Sequence, residues 1–407
     1  MAFDLTDPGL LLSPAVLADP RPLYDQLRRE APVWQVPGQD TFLVSDPGLI
    51  REAVGRPDDL SSNLVTLLRS DGTGGTEPYG LLPFGDPMHV LATADPPIHT
   101  RHRRLLQQHL SPAAVAALTP DIERIVDEQL TPMLGTGPVD AVAGFGDAVA
   151  TRVVCRLIGL PDHLWPRLSD LVVRTGELLD GVTTSDGTDA ASVAAFELGI
   201  IVHEELDRAL ALPPDERPGL LGVFGADIAA GEITGDEVKN ILLILVSAGS
   251  ETTATLIATA CERLARDEGL QAQLRADPQM IAEFLEDTLR DDGPFQFHYR
   301  HAPADTELGG VAIAAGSRVL LMWAAANRPA PGAPTSPEGP QPPHYAFGKG
   351  MHFCIGAPIA RLEARLAIEQ LLARTASIAP VPDDPATRRP SIFLRRFAGL
   401  PLVLTPA

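Results

Sequence analysis

One stretch limits what this chain can fold into more than any other: a long apolar helix with a carboxylate and hydroxyls at its centre. It starts at Thr234, where Glu237 stands three residues on in capping-box spacing, and runs through the mainly apolar residues 241–248. The continuation Ala248-Gly249-Ser250-Glu251-Thr252-Thr253 then places a glycine and polar side chains inside an otherwise hydrophobic rod. Such groups are costly to bury unpartnered. The plain structural reading is that the hydroxyls bond back to carbonyls of the preceding turn and bend a core helix.

Elsewhere apolar residues recur three and four apart, as in Ile122-Glu123-Arg124-Ile125-Val126 and over residues 193–210, which predicts a mainly α-helical body. Residues 42–44, 311–313 and 318–322, with Gly309-Gly310 and Gly316 at turns, predict small β-sheets beside it. Two stretches are predicted to be irregular. Residues 60–91 are interrupted by glycine and serine, and residues 329–343 hold seven prolines in fifteen positions, which removes amide donors and keeps the chain extended. The chain has no internal repeat, and its 407 residues suit one large domain, 1–407, as well as two or three smaller ones.

Composition excludes several functions. Fifty-three acidic against 32 basic side chains leave a formal charge of −21, which repels nucleic acid and anionic membrane surfaces. Nowhere do 18 apolar residues run uninterrupted, and Met1-Ala2-Phe3-Asp4-Leu5-Thr6-Asp7 lacks the basic start and apolar core of an export signal. A soluble, cytoplasmic protein with no membrane and no nucleic-acid partner is expected. Cys155, Cys261 and Cys354 are too few for a disulfide framework. Lysine occurs only at Lys239 and Lys349 while arginine, alanine and proline abound, a codon bias that indicates a GC-rich bacterial genome.

Near the C-terminus, Phe347-Gly348-Lys349-Gly350-Met351-His352-Phe353-Cys354-Ile355-Gly356 leads directly into a helical pattern around residues 360–365. Amides around such a turn, with the positive end of the helix dipole, favour a thiolate able to ligate a soft metal. One thiolate without a partner cysteine excludes an ordinary zinc site. A buried, inert cysteine is the bland alternative.

The spacing of Phe347, Gly350, Cys354 and Gly356 resembles the haem-binding motif of the cytochrome P450 family. The resemblance implies a single triangular, mostly helical body with small β-sheets enclosing haem b (iron protoporphyrin IX), with Cys354 as the axial iron ligand. The long helix is similar to the family's oxygen-binding helix at Ala248, Gly249, Glu251, Thr252 and Thr253. By that resemblance Gly249 leaves room for dioxygen, Thr252 hydrogen-bonds the activated oxygen and Glu251 relays protons. A third segment, from Asp95 to Arg104, looks like the helix that grips the haem propionates, with His99 and Arg103 one turn apart. Arg300 and His352 look like the remaining propionate donors. The likeness runs from Asp19 to Leu404, and residues 58–63 and 89–95 look most like actinobacterial members.

The chain also departs from the pattern. Where the family carries Glu-x-x-Arg, this sequence has Asp287 and Arg290, one methylene shorter, with Glu286 as an i,i+4 alternative partner for Arg290. The arginine that usually completes this network is absent from residues 329–343, and proline stiffness is the expected substitute. Ala314 replaces a common proline, and Pro358 falls in a first helical turn, where proline is tolerated.

The resemblance implies a monooxygenase that oxidises a small lipophilic molecule, by hydroxylation or oxidative coupling, as in bacterial secondary metabolism. O2 is the co-substrate, and electrons come from a ferredoxin and its ferredoxin reductase, with NAD(P)H used indirectly because the chain has no dinucleotide fingerprint. Arg101, Arg104, Arg361 and Arg365 are the expected basic docking face. Phe295, Phe297 and Ala248 are the expected walls of the substrate pocket, although aromatics also fill ordinary cores. The alternative function is a non-catalytic haem sensor or carrier, to which Glu251 and Thr252 would be of no use.

Overall fold

The computed structural model describes residues 2–81, 88–329 and 343–407. Its longest element is the central helix Gly235–Arg266, which begins as expected: Thr234 Oγ1 accepts from Glu237 N, and Glu237 Oε2 accepts from Thr234 N at 2.9 Å. The helix is long and apolar enough to cross a membrane, and more than half of its most apolar window is buried inside the fold.

Its two ends are held by different cores. Val238, Ile241, Leu242 and Val246 pack with residues from Trp165–Gly176 and Ser185–Ala211. Leu256, Ile257, Cys261 and Leu264 pack with residues from Thr119–Leu130 and Ala357–Arg374. Each fully buried aliphatic side chain contributes about 1.5–3 kcal/mol. Together they outweigh the cost of about 1 kcal/mol for a glycine in mid-helix. Residues 247–255 belong to neither core. Ser250, Thr253, Ala254 and Thr255 within this stretch are nevertheless buried, so the polar interruption separates the two cores without opening the packing.

Four strands form the main sheet in the order Val33–Gln35, Thr41–Val44, Arg318–Leu321 and His298–His301, the middle pair parallel and the outer pairs antiparallel. Ser61 pairs with His301 at the sheet edge, N–H to carbonyl in both directions at 2.8 and 2.9 Å. That pairing delivers Ser62 and Arg300 to the same region. Part of the stretch expected to be irregular is instead a hairpin, Thr66–Ser70 with Thr76–Gly80. Residues 82–87 and nearly all of the proline-rich stretch lie outside the described residues.

Candidate active site

Cys354 sits between a single turn, Gly350–His352, and the helix Ala357–Arg374. Its N–H donates to Phe347 O at 2.9 Å and closes the loop. Gly350 has a φ of 75°, and a Cβ there would come within 3.2 Å of Val54, so handedness and close packing both demand glycine. Gly356 is under neither constraint: its φ is −84°, and an added Cβ would meet nothing nearer than the Cys354 sulfur at 3.8 Å. Burial pushes the Cys354 thiol above its ordinary value, while the Gly356 amide, the Arg103 charge and the Ala357 amide pull it down. The turn and dipole alone thus fall short of the thiolate they were expected to hold. A metal cation at the sulfur would complete the job, and Cys354 keeps accessible surface for one.

The four expected propionate donors converge beside it from distant parts of the chain. His99 and Arg103 lie on the helix Ile98–Gln107. Arg103 Nη1 donates to Phe353 O at 2.8 Å, and the His99 and His352 rings meet with centroids 4.2 Å apart. Arg300 is buried on its strand and donates to Tyr299 O at 2.8 Å. His352 Nε2 lies 2.9 Å from Ser62 Oγ, and Asp95 accepts from the Ser62 N–H at 2.8 Å and from the Ser61 hydroxyl.

All four are pushed toward their neutral forms. Burial takes Arg300 down to about 10, and burial followed by the Arg300 charge takes His352 down to about 3. Burial lowers His99 and Arg103 as well. A cluster of donors that lose charge this way is short of negative charge. A group that presents carboxylates, as haem does with its propionates, fits it.

On the central helix, Ala248 is exposed between buried Val246 and buried Ser250, and Thr252 lies one turn further on. Thr252 Oγ1 donates to Ala248 O at 2.7 Å, and Thr255 Oγ1 donates to Glu251 O at 2.8 Å. The back-bonding of the plain reading is thus present. Gly249 has a packing reason as well: an added Cβ would strike Val154 Cγ2 at 2.7 Å. Close packing on the helix Ala148–Ile158 explains this glycine.

The Glu251 carboxyl lies against Gly176, where a Cβ would come within 2.7 Å of Oε2, and its Oε1 is 3.9 Å from Arg396 Nε. Burial pushes Glu251 up to about 8 against the pull of Arg396, with Asp180 and Asp147 adding to the rise. Buried Arg396 holds Asp147 at 2.6 Å, while its Nε and Nη1 have no hydrogen-bond partner among the described residues. Sequence reasoning missed Arg396, Asp147 and Asp180. Arg396 and Asp147 are 249 residues apart and lie in no local motif.

A family model described as Cytochrome P450 matches residues 224–393. Cytochrome P450 144 of Mycobacterium tuberculosis is 36% identical over 394 residues, covering 95% of this chain and 89% of the relative. The chain belongs to the cytochrome P450 family. This P450 is also 30% identical to 6-deoxyerythronolide B hydroxylase of Saccharopolyspora erythraea, over 94% of this chain and 95% of that one. The crystal structure of CalO2 matches with a TM-score of 0.82 and 26% identity, covering 100% of this chain and 99% of that one. This P450 is therefore a monooxygenase of the haem-thiolate type, which uses dioxygen, a redox partner and a small-molecule substrate.

Two placements differ from expectation in this P450, those of Phe297 and Glu286. Phe297 is 1% exposed and packs edge-on against Tyr299 and Phe393, so it is core and not pocket wall. Phe295 is half-buried, its ring 4.7 Å from that of His298. Asp287 does accept from Arg290, but Glu286 turns away from Arg290 and binds Arg361 and His344. The four arginines of the expected docking face are each paired with an acid: Arg101 with Glu237, Arg104 with Glu232, Arg361 with Glu286 and Arg365 with Glu369.

Proposed function

We propose that this P450 binds haem b through Cys354 and oxidises a lipophilic small molecule of bacterial secondary metabolism in the cytoplasm. Electrons come from a ferredoxin that is reduced by an NAD(P)H-dependent reductase. His99, Arg103, Arg300 and His352 hold the propionates, Phe347 and Gly350 shape the loop that presents the sulfur, and the Gly356 amide faces that sulfur. Haem, when bound there, supplies the site at which dioxygen is held and reductively activated. Ala248 and Phe295 border the substrate. The relative from S. erythraea is named as a hydroxylase, which favours oxygen insertion over oxidative coupling.

The chain's own part is to position groups and move protons. The observation that carries the reading is a largely buried carboxyl, Glu251, pushed up to about 8 and followed in the chain by the half-buried hydroxyl of Thr252, close to where the central helix leaves Ala248 exposed. With its hydrogen on Ala248 O, the Thr252 oxygen is an acceptor. Giving up that bond costs only about 0.5–1.5 kcal/mol, so Thr252 switches readily to a donor. Glu251 holds the proton that replaces the one Thr252 gives. A sensor or carrier would need neither group.

The test is spectroscopic. Dithionite-reduced protein under carbon monoxide is expected to show the red-shifted thiolate-type Soret band, and Cys354→Ala to lose it. Persistence of that band in the variant would reject Cys354 as the ligand, and a histidine-type band in the unaltered protein would reject the thiolate reading.

A further inference from the structure

Glu286 stands next to the shortened Asp287, and its carboxylate is committed to other partners than Arg290. Oε1 accepts from Arg361 Nε at 2.6 Å, and Oε2 accepts from Arg361 Nη2 at 2.8 Å. The same Oε2 lies 3.0 Å from His344 Nε2. One side chain on the helix Ile281–Asp292 thereby holds the residue just past the proline-rich stretch and the first turns of the helix behind Cys354. Burial opposes the charge, but the hydrogen bonds from Arg361 and then His344 outweigh it and hold Glu286 down to about 2.

The contact continues inward to the loop. The Arg361 guanidinium lies over the Phe347 ring, 4.4 Å from its centroid, and the His344 ring stands 6.0 Å from the same ring. Phe347 O accepts from the Cys354 N–H. On the side of His344, Tyr345 N donates to Asn327 Oδ1 at 2.5 Å, and the Tyr345 ring stacks parallel to Trp323 at 6.5 Å. The loop bearing the sulfur is therefore gripped on the way in by His344 and on the way out by Arg361, with one carboxylate joining the two grips.

We propose that Glu286, His344 and Arg361 form the positioning cluster that fixes the Cys354 loop, in place of the arginine absent from residues 329–343. The proposal rests on the reading of Cys354 as the haem ligand. Glu286 and Arg361 are about one-third exposed, so the Coulombic share of their attraction is screened. What the cluster supplies is geometry: a planar fork on a carboxylate, a second donor on the same oxygen and a cation over a ring remove freedom at both ends of one loop. None of the three touches the reacting atoms, so they are positioning residues.

Two readouts on the haem-loaded full chain test this. The first is the decay of the thiolate-type carbon monoxide band into the protonated-thiol band under mild urea. Glu286→Gln, which keeps the shape, is expected to speed that decay about tenfold with unchanged far-UV circular dichroism. His344→Gln, which keeps a donor for Glu286, should decay more slowly than His344→Ala.

The second readout is alkylation. Cys155 and Cys261 are each 1% exposed, so iodoacetamide reports on Cys354, which it reaches in the haem-loaded chain only as the sulfur leaves the iron. Labelling is expected to be about tenfold faster in Glu286→Gln. Equal labelling rates would overturn the cluster whatever the spectrum. So would fast band decay in Asp287→Asn but not in Glu286→Gln, because the shortened pair would then carry the load. Absence of a thiolate band from the unaltered protein would instead reject the ligand reading, and labelling would still decide the cluster.

Discussion

A carboxyl pushed up to about 8 is mostly protonated near neutral pH, and Glu251 keeps that proton one residue along the helix from Thr252. The same shift bears on stability. The folded state keeps the Glu251 proton over a range in which the unfolded chain, at about 4.3, has lost it. The resulting stability is fully present below that value and is lost as pH rises through about 8. Urea unfolding at about pH 5 and about pH 8.5 should therefore show a loss in the unaltered protein that is smaller in Glu251→Gln. The variant should also turn over roughly a hundredfold more slowly. Glu251 and Thr252 were legible as neighbours in one short motif. Arg396 and Asp147, which share the Glu251 environment, were not, because a buried ion pair between residues 249 apart leaves no periodic trace.

At the scale of elements, the central helix follows from its sequence: the capping box sets its start, and the aliphatic run sets its burial. Its middle does not follow so simply. Helix propensity alone says that Gly249→Ala should gain about 1 kcal/mol. An added Cβ 2.7 Å from the stiff, β-branched Val154 opposes that gain, because overpacking costs about 1–3 kcal/mol. We expect Gly249→Ala to be destabilised by roughly 1 kcal/mol in urea titrations, and Val154→Ala in the same chain to relieve the clash. A gain in stability from Gly249→Ala alone would show that the two helices can move apart. The hairpin at residues 66–80 was hidden for a related reason: its turn, Asp71-Gly72-Thr73-Gly74-Gly75, reads as irregular until strand pairing is seen.

Over the whole molecule, a charge of −21 repels any acidic redox partner, so its docking must rely on local charge. Arg104, 66% exposed in a pair with Glu232, is the most open of the four candidate arginines. Arg104→Glu should slow ferredoxin-driven turnover about tenfold at low salt, and less at high salt, while peroxide-driven turnover is spared. Equal losses in both assays would reject the docking role. By itself the sequence determined the helical body, the Cys354 loop and the Glu251–Thr252 pair, because each is written in spacings within a single element. Only the tertiary structure decided that Phe297 is core, that Gly249 makes way for Val154, and that Glu286 faces Arg361 and His344. Those outcomes depend on where a side chain points once segments far apart in the chain have packed, and periodicity carries no record of that direction.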